Sequence, residues 1–192
     1  MSVFDVIQRR RSRGKMSQEQ PTRKQIEQIL AAATYAPNHH KVEPWHFFVI
    51  SGTARNELGE IMARSLAARQ KDFPKSSLQA LLEKERNKPL RAPVLIIAVA
   101  THLEQPKVLD IENIEATAAA VENILLTAEE KGLACMWRTG DAAYDPAVKR
   151  WLGINEQDTI VGIIYVGYAT QEPVERHPQP LAEKTTWLGW QE

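Results

Sequence analysis

The chain has very little cysteine, no net charge and no long apolar run. Cys135 is its only cysteine among 192 residues, so no intrachain disulfide forms, as expected in a reducing compartment. A formal net charge of zero counts against binding to nucleic acid or to an anionic membrane, which usually requires a basic excess. The apolar runs at Val94–Ala100 and 160–166 are too short to span a bilayer. Arginines also interrupt the N-terminal segment where a signal peptide would be apolar, so we predict a cytoplasmic protein.

Several common catalytic signatures are also missing. His39 and His40 are adjacent rather than spaced as in His-Glu-x-x-His, so we predict no metal site. No Gly-x-Ser-x-Gly motif is present, and Cys135 lies in an apolar stretch where its thiol is expected to be inert. No Gly-x-Gly-x-x-Gly motif marks a Rossmann dinucleotide site. These absences argue against a zinc enzyme, a serine or cysteine hydrolase and a Rossmann-type dehydrogenase.

Apolar periodicity predicts a chain of mixed helices and strands. Ile26, Ile29 and Ala33 recur at helical spacing after Thr22 and Gln25, which form the pattern of a capping box. Further helices are expected at 3–7, 58–66, 78–82 and 115–131, and strands at Trp45–Ser51, Val94–Ala100, 133–137 and 160–168. This order contains no regular βαβ repeat, which favours a single α+β sandwich domain over residues 1–192.

The helix expected at 115–131 is unusually apolar in its N-terminal half. Ala116 and the segment 118–121 place small apolar residues most of the way round the helix. A helix that is apolar on several faces is buried on several faces. Two arrangements satisfy this requirement equally well: the helix packs against a second subunit, or it lies across the sheet inside one core.

The C-terminal segment 171–192, called the tail below, is rich in proline and ends in an aromatic cluster. Trp187, Leu188 and Trp190 are too apolar to remain in water without a cost in free energy. The tail is therefore expected to dock, either on its own domain or on a partner molecule.

A dense basic cluster follows the first predicted helix, with four arginines and Lys15 at positions 9–15. Such a cluster is most simply a solvated helix end, where cations complement the helix dipole. A nucleic-acid patch is a second interpretation, weakened by the neutral net charge and by the lack of interleaved aromatic residues. A phosphate clamp is a third, because the guanidinium fork matches phosphate oxygens and Ser12 adds a hydroxyl.

Two further polar motifs stand at strand ends. The segment 36–50 runs from a polar loop with two prolines directly into an apolar strand, and such loops often hold ligands. The sequence Trp-Arg-Thr-Gly at 137–140 follows another apolar strand. Trp137 is most simply core filling, whereas Arg138 needs an anionic partner at the end of a buried strand. The candidate partners are a bound phosphate and two nearby acidic residues, Asp141 and Asp145.

The sequence Arg-Arg-Ser at 10–12, the loop at 36–50 and the motif at 137–140, in this order, resemble the nitroreductase family, most closely its short members. The resemblance implies an α/β/α sandwich around a central mixed, mostly antiparallel sheet, and a homodimer that holds FMN at its interface. It also implies electron transfer from NAD(P)H through flavin N5 to a nitroaromatic, a quinone or a related small-molecule acceptor, by a ping-pong mechanism. No catalytic residue is expected, because the flavin carries the chemistry.

The resemblance also implies which residues contact the cofactor. Arg10, Ser12 and Arg138 are expected at the FMN phosphate and ribityl chain. Lys15 is expected at the pyrimidine edge, because Gly14 stands where the family pattern has a basic residue. The full predicted set of cofactor-binding residues is Arg10, Arg11, Ser12, Lys15, Tyr35, His39, Trp137, Arg138 and Thr139.

Two loop residues depart from the family pattern. Tyr35 stands where some close relatives carry a basic residue, so its ring packs or donates its hydroxyl. Glu43 stands where many members have glutamine, and an ionised carboxylate cannot donate to a flavin carbonyl. We therefore interpret Glu43 as a structural residue. The family also implies that the tail reaches across the dimer and packs on the partner subunit.

Two alternatives of other classes remain open at this point. The first is a non-catalytic flavin- or nucleotide-binding protein on the same scaffold, because a fold does not determine a function. The second is a dimeric scaffold or nucleic-acid-associated module that uses the cluster from Arg9 to Arg13.

Overall fold

The structure, a computed structural model, describes residues 2–70 and 74–190. The α-helices are α1 (Val3–Arg9), α2 (Arg23–Ala33), α3 (Ala54–Arg69), α4 (Lys75–Arg86), α5 (Asp110–Glu130), α6 (Gly140–Ala143) and α7 (Pro146–Leu152). The strands are β1 (Trp45–Ser51), β2 (Val94–Ala100), β3 (Ala134–Arg138) and β4 (Thr159–Gly167). Short 3₁₀ helices occupy His39–Lys41, Lys88–Arg91 and Leu181–Lys184.

The strands form one four-stranded sheet in the order β1-β2-β4-β3, with every neighbouring pair antiparallel. Parallel pairing within the described ranges is limited to an isolated bridge between Ser12 and Cys135. This bridge lays the basic cluster along the outer edge of β3, while Met16 pairs with Ala169 just beyond β4. The expected central, mostly antiparallel sheet is therefore confirmed, and its only parallel component among the described residues is the Ser12–Cys135 bridge.

Helices cover both faces of the sheet. Every residue of β2 is buried, and its side chains alternate between two cores, as the two-residue period of a strand requires. Ile96 and its face pack with α2 and α5, whereas Ile97 and its face pack with α3, α6 and α7. This is the expected α+β architecture with three layers.

Local sequence signals explain where the first helices begin. The side chain of Ser2 accepts from the amide of Asp5, and the carboxylate of Asp5 accepts from the amide of Ser2, which caps α1. Thr22 and Gln25 form the same reciprocal pair at the start of α2, so the predicted capping box is confirmed. Each cap satisfies backbone N–H groups that a helix start leaves without an acceptor.

Helix α5 is the central element of one outer layer. It contacts α1, α2 and all four strands, and it buries Ala120, Val121 and Ile124 completely. One of the two alternatives for this helix is therefore confirmed, because it lies across the sheet inside one core. Burial against a second subunit stays a prediction. Within the described ranges, none of the helices combines the length and apolar character that crossing a membrane requires.

Candidate functional site

The basic cluster forms one wall of a cleft beside the outer edge of β3. The amide of Arg13 donates to the carbonyl oxygen of Cys135 at 3.0 Å, which fixes the cluster along the strand. Residues 11–15 face residues 171–174 across a cleft of about 200 Å³. The predicted residues Arg11, Ser12 and Lys15 therefore share one cleft, whose second wall is the beginning of the tail.

The cations of the cluster differ sharply in their partners. Arg13 Nη2 lies 3.1 Å from a carboxylate oxygen of buried Glu129, and Arg9 Nη2 lies 3.6 Å from the other oxygen. Arg11 donates to the carbonyl oxygens of Gln8, Arg10 and Val174 at 2.6, 2.8 and 3.0 Å. These contacts match the helix-end interpretation for Arg11, whose carbonyl partners include Gln8 in the last turn of α1.

Two members of the cluster keep donors for an external anion. The Nε atom of Arg10 lies 3.7 Å from Glu122, which leaves the terminal nitrogens of this guanidinium for another acceptor. Lys15 makes no ion pair and no side-chain hydrogen bond within the residues that the structure describes. The Nε–H of Arg13 is buried without a hydrogen-bond partner there. The cleft is therefore cationic and incompletely satisfied.

The side chain of Met136 occupies the space beside Gly14, the position where the family pattern has a basic residue. A Cβ atom added to Gly14 would lie 2.2 Å from the Cε atom of Met136. The space next to Gly14 is thus filled by the methionine side chain, whose sulfur also lies 2.8 Å from Nε of Arg138. A longer residue at position 14 requires the end of the Met136 side chain to move, and in this sequence Lys15 and Arg138 are the cations that flank this place.

A second cavity, of about 290 Å³, lies at the end of β3. The predicted residues Trp137, Arg138 and Thr139 line it together with Lys88 and Tyr165. Burial raises the pKa of the Tyr165 hydroxyl, and the guanidinium groups of Arg91 and Arg138 oppose that shift. Lys88 pairs with the buried carboxylate of Glu85 on the same side of the cavity. The cavity therefore presents cationic, anionic and phenolic groups on an apolar floor.

Trp137 and Arg138 have different roles in this cavity. The indole N–H of Trp137 donates to the carbonyl oxygen of Val161 at 3.2 Å, and its ring packs with the core of the α2–α5 layer. Arg138, in contrast, has no carboxylate within 4.0 Å in the part of the chain that the structure describes. Its two candidate acidic partners, Asp141 and Asp145, lie 3.7 and 3.9 Å from Arg69 instead.

A third cavity, of about 570 Å³, is lined by the loop at 37–41 and by α5. His39 lies in this loop, with Nδ1 3.7 Å from Oε1 of Glu112. Glu43 follows, and its backbone amide donates to Asn38 Oδ1 at 2.9 Å, while its carboxylate is exposed. Tyr35 is 86% exposed and lines none of the three cavities. Within the described ranges, no three His, Cys, Asp or Glu side chains are close enough to hold a metal ion.

One chain does not bring the predicted residues into a single pocket. They divide among the cleft beside β3, the cavity at its end and the cavity at α5, whereas Arg10 and Tyr35 lie outside all three. Their role as cofactor contacts stays a prediction. The sequence-based set missed several residues that line these cavities, namely Arg13, Asn38, Lys88, Tyr165 and residues 171–174. Asn38 could have been found from the sequence, because it belongs to the loop motif. Lys88 and Tyr165 could not, because only the tertiary fold brings them to the cavity.

Comparisons with known proteins agree with this architecture. A family model described as "Nitroreductase family" matches residues 6–168. The Escherichia coli K12 protein named "Putative NAD(P)H nitroreductase YdjA" is 34% identical over 167 residues, which cover 87% of this chain and 88% of that protein.

Two solved structures share the fold over nearly the whole chain. A nitroreductase-like family protein from Bacillus cereus has a TM-score of 0.84 and 27% identity, covering 99% of this chain and 97% of its own. A nitroreductase with bound FMN from Bacteroides fragilis has a TM-score of 0.73 and 25% identity. The match covers 98% of this chain and 99% of that chain. On the sequence motifs, the three-layer fold and the match over 6–168, this chain belongs to the nitroreductase family.

Proposed function

We propose that this protein is an FMN-dependent oxidoreductase that passes electrons from NAD(P)H to a small oxidised acceptor. The observation that carries the proposal is a set of donors at the edge of the sheet that have no carboxylate partner among the residues that the structure describes. Lys15 and the hydroxyl of Ser12 line the basic cleft, and Arg138 stands nearby without a carboxylate. A phosphate dianion satisfies such a set, because charge-assisted hydrogen bonds are the strongest that these groups form.

The residues present fit FMN. Arg10, Ser12 and Arg138 would hold the phosphate and the ribityl chain, and Lys15 would lie at the pyrimidine edge. Arg13 lines the same cleft, but its Nε–H is buried and its Nη2 atom lies 3.1 Å from Glu129. Bound FMN would supply the redox chemistry between NAD(P)H and a second substrate, and the two substrates would use one shared pocket in alternation. The chain's own residues bind and orient; none is needed as an acid, base or nucleophile.

A homodimer accounts for the division of the predicted residues among separate cavities. In the proposed dimer, the loop that carries His39 completes the cofactor site of the partner subunit. The monomer also exposes apolar side chains that a partner would cover: Phe4 is 64% exposed, Trp187 65% and Trp190 72%. The rings of Trp187 and Trp190 pack on each other with centroids 5.4 Å apart. We therefore keep the proposal that the tail docks on the partner; Gln191 and Glu192 lie outside the described residues.

The acceptor belongs to a broad class. The cavity at the end of β3 combines Glu85 and Asp141 with Lys88 and Arg138, so its net charge selects neither an anionic nor a cationic substrate. A nitroaromatic, a quinone and an activated alkene are each compatible with a mixed cavity of this size. The cytoplasmic location inferred from the sequence stays a prediction.

The visible spectrum of the purified protein tests the proposal. We expect a yellow protein with flavin absorption that bleaches under anaerobic conditions when NADH or NADPH is added, and that regains its colour with a quinone. A flavoprotein that NADH and NADPH both fail to bleach would instead support a non-catalytic flavin-binding protein. A colourless protein that does not take up added FMN would refute the proposal.

A further inference from the structure

The loop between α2 and β1 holds three strained residues. His40, Lys41 and Glu43 have φ angles of 54°, 55° and 48°, a region that residues with a Cβ atom seldom adopt. Glu43 also precedes Pro44, whose ring restricts the backbone conformations open to the residue before it. Strain of this kind persists only where surrounding contacts impose it, and it is concentrated at ligand-binding sites.

The ends of the loop are fixed by the fold. The amide of Ala36 donates to the carbonyl oxygen of Ala33 at 3.1 Å, at the end of α2. At the other end, the amide of Thr101 donates to the carbonyl oxygen of buried Pro44 at 2.7 Å. These two anchors define where the loop starts and stops, but they do not determine the path of the residues between them.

Asn38 is the side chain that closes the loop within the described part of the chain. Its Oδ1 atom accepts from the amide of Glu43 at 2.9 Å, and its Nδ2 atom donates to the carbonyl oxygen of Ala36 at 3.4 Å. The first bond joins the two ends of the strained segment directly. It also supplies the acceptor for the amide of Glu43, one of the three residues with a positive φ angle.

The loop forms a wall of the cavity at α5. His39 precedes the strained residues and faces Glu112, Ala116 and Ala119 of α5 across that cavity. Any relaxation of residues 40–43 therefore changes the shape of the wall and the place of His39. If the free protein holds these residues in their strained conformation, this wall of the cavity has its binding shape before the ligand binds.

We propose that Asn38 is a positioning residue that holds the loop 38–43 in its strained conformation. The cofactor site thereby has its binding conformation before FMN binds. This inference rests on the proposed function, because FMN is the ligand for which the loop is prepared. If the loop relaxes in most molecules, the apparent dissociation constant rises by the inverse of the competent fraction. A tenfold fall in that fraction thus weakens FMN binding about tenfold.

The experiment compares Asn38→Ala, Asn38→Asp, Glu43→Gly and the double variant Asn38→Ala/Glu43→Gly in full-length protein freed of flavin. Two quantities are measured: the dissociation constant for FMN, and the hydrogen-exchange rate of the residue-43 amide without FMN. Asn56→Ala is the matched control, because Asn56 is exposed on α3 and its side chain makes no hydrogen bond among the described residues. Thermal melting verifies that each variant is folded.

We expect Asn38→Ala to weaken FMN binding about tenfold and to accelerate exchange of the residue-43 amide by at least about tenfold. Asn38→Asp keeps an oxygen acceptor for the amide, so its affinity should stay within about threefold of the parent. The double variant should recover most of the lost affinity, because glycine adopts a positive φ without strain. Loss of a direct Asn38–FMN contact would not be rescued by a change at position 43.

Two results for Asn38→Ala alone would overturn the inference, and a third, from the double variant, would do the same. One is an unchanged exchange rate at residue 43 in Asn38→Ala, and the other is a faster exchange rate with unchanged FMN affinity. An affinity loss that the double variant does not recover would show a direct contact instead of positioning. If the unmodified protein binds no FMN, the proposed function fails, while the exchange rates still decide whether Asn38 holds the loop.

Discussion

Gly162 and Trp137 are in close contact, and the cost in stability of adding a side chain at Gly162 can be estimated from the structure. The Nε1, Cδ1 and Cε2 atoms of Trp137 lie 2.0, 2.4 and 3.1 Å from the position of a Cβ atom added to Gly162. The pairing of β4 with β2 shifts at this point, because Ala98 pairs with Gly162 and Val99 with Ile160. Val161 is thus the extra residue of a bulge, and its carbonyl oxygen accepts from the Trp137 indole instead of continuing the regular pairing.

The substitution Gly162→Ala should therefore displace the indole ring. Ordinary carbon contacts begin near 3.5 Å, so the ring must retreat by roughly 1.5 Å, which breaks its hydrogen bond to Val161. Overpacking typically costs about 1–3 kcal/mol and the lost hydrogen bond about 1 kcal/mol. The better strand propensity of alanine returns about 0.5–1 kcal/mol. We expect a net loss of about 2 kcal/mol in the free energy of unfolding.

Equilibrium unfolding in urea at a fixed protein concentration measures this loss, since association would make stability depend on concentration. The same substitution in a Trp137→Leu background is the control. There we expect a cost below about 0.5 kcal/mol, because the clashing indole is absent. Additive effects of the two substitutions, or a cost below about 0.5 kcal/mol in the parent protein, would refute the packing argument. FMN occupancy should fall as well, because Arg138 follows Trp137 directly on β3.

Three further predictions concern the site, the tail and the buried thiol. Arg138→Ala should weaken FMN binding about tenfold to a hundredfold, because charge-assisted bonds are lost, whereas the control Arg150→Ala on α7 should not. Flavin occupancy after dialysis is the measurement. Equal occupancy in Arg138→Ala and the parent protein would show that Arg138 is not part of the site. Arg10→Ala should act in the same direction in that assay. Truncation after Leu181 should shift sedimentation toward monomers at low concentration, and identical sedimentation of both forms would contradict tail docking. Burial raises the pKa of Cys135 from 9.0 to about 12. The thiol of the unfolded chain ionises at a lower pH than the buried thiol. The free energy of unfolding should therefore fall as pH rises above about 9, by up to about 1.4 kcal/mol per pH unit. The same dependence of the unfolding free energy on pH in Cys135→Ala would contradict this.

The regular elements were predictable where the local pattern was strong. The bounds of β2 follow from an uninterrupted apolar run, and those of β1 from a largely apolar segment that begins after Pro44 and ends before Gly52. Helix α5 begins at Asp110, five positions before the predicted start, since the polar residues of its first turns carry no apolar periodicity. Helices α6 and α7 were not predicted, because four and seven residues are too few to show a helical period.

The site was predictable only as a set of residue types. Short motifs select Arg10, Ser12 and Arg138 as candidates, because phosphate recognition uses such side chains, and their role as cofactor contacts stays a prediction. They do not reveal that Arg11 is committed to backbone carbonyls or that Met136 fills the space beside Gly14. Each of these facts depends on a contact between segments that are distant along the chain.

The sequence by itself determined the family, the order of the main helices and strands, and the presence of cationic groups close to strand ends. Tertiary structure alone decided which cations remain available. Arg13 meets its carboxylate partner Glu129 across 116 positions of sequence, and Arg11 meets Val174 across 163. A local sequence pattern specifies the chemistry of a side chain. The partner of that side chain depends on how α1 and the basic cluster pack against α5, β3 and the tail. That packing leaves Lys15 and Arg138 without a described carboxylate partner.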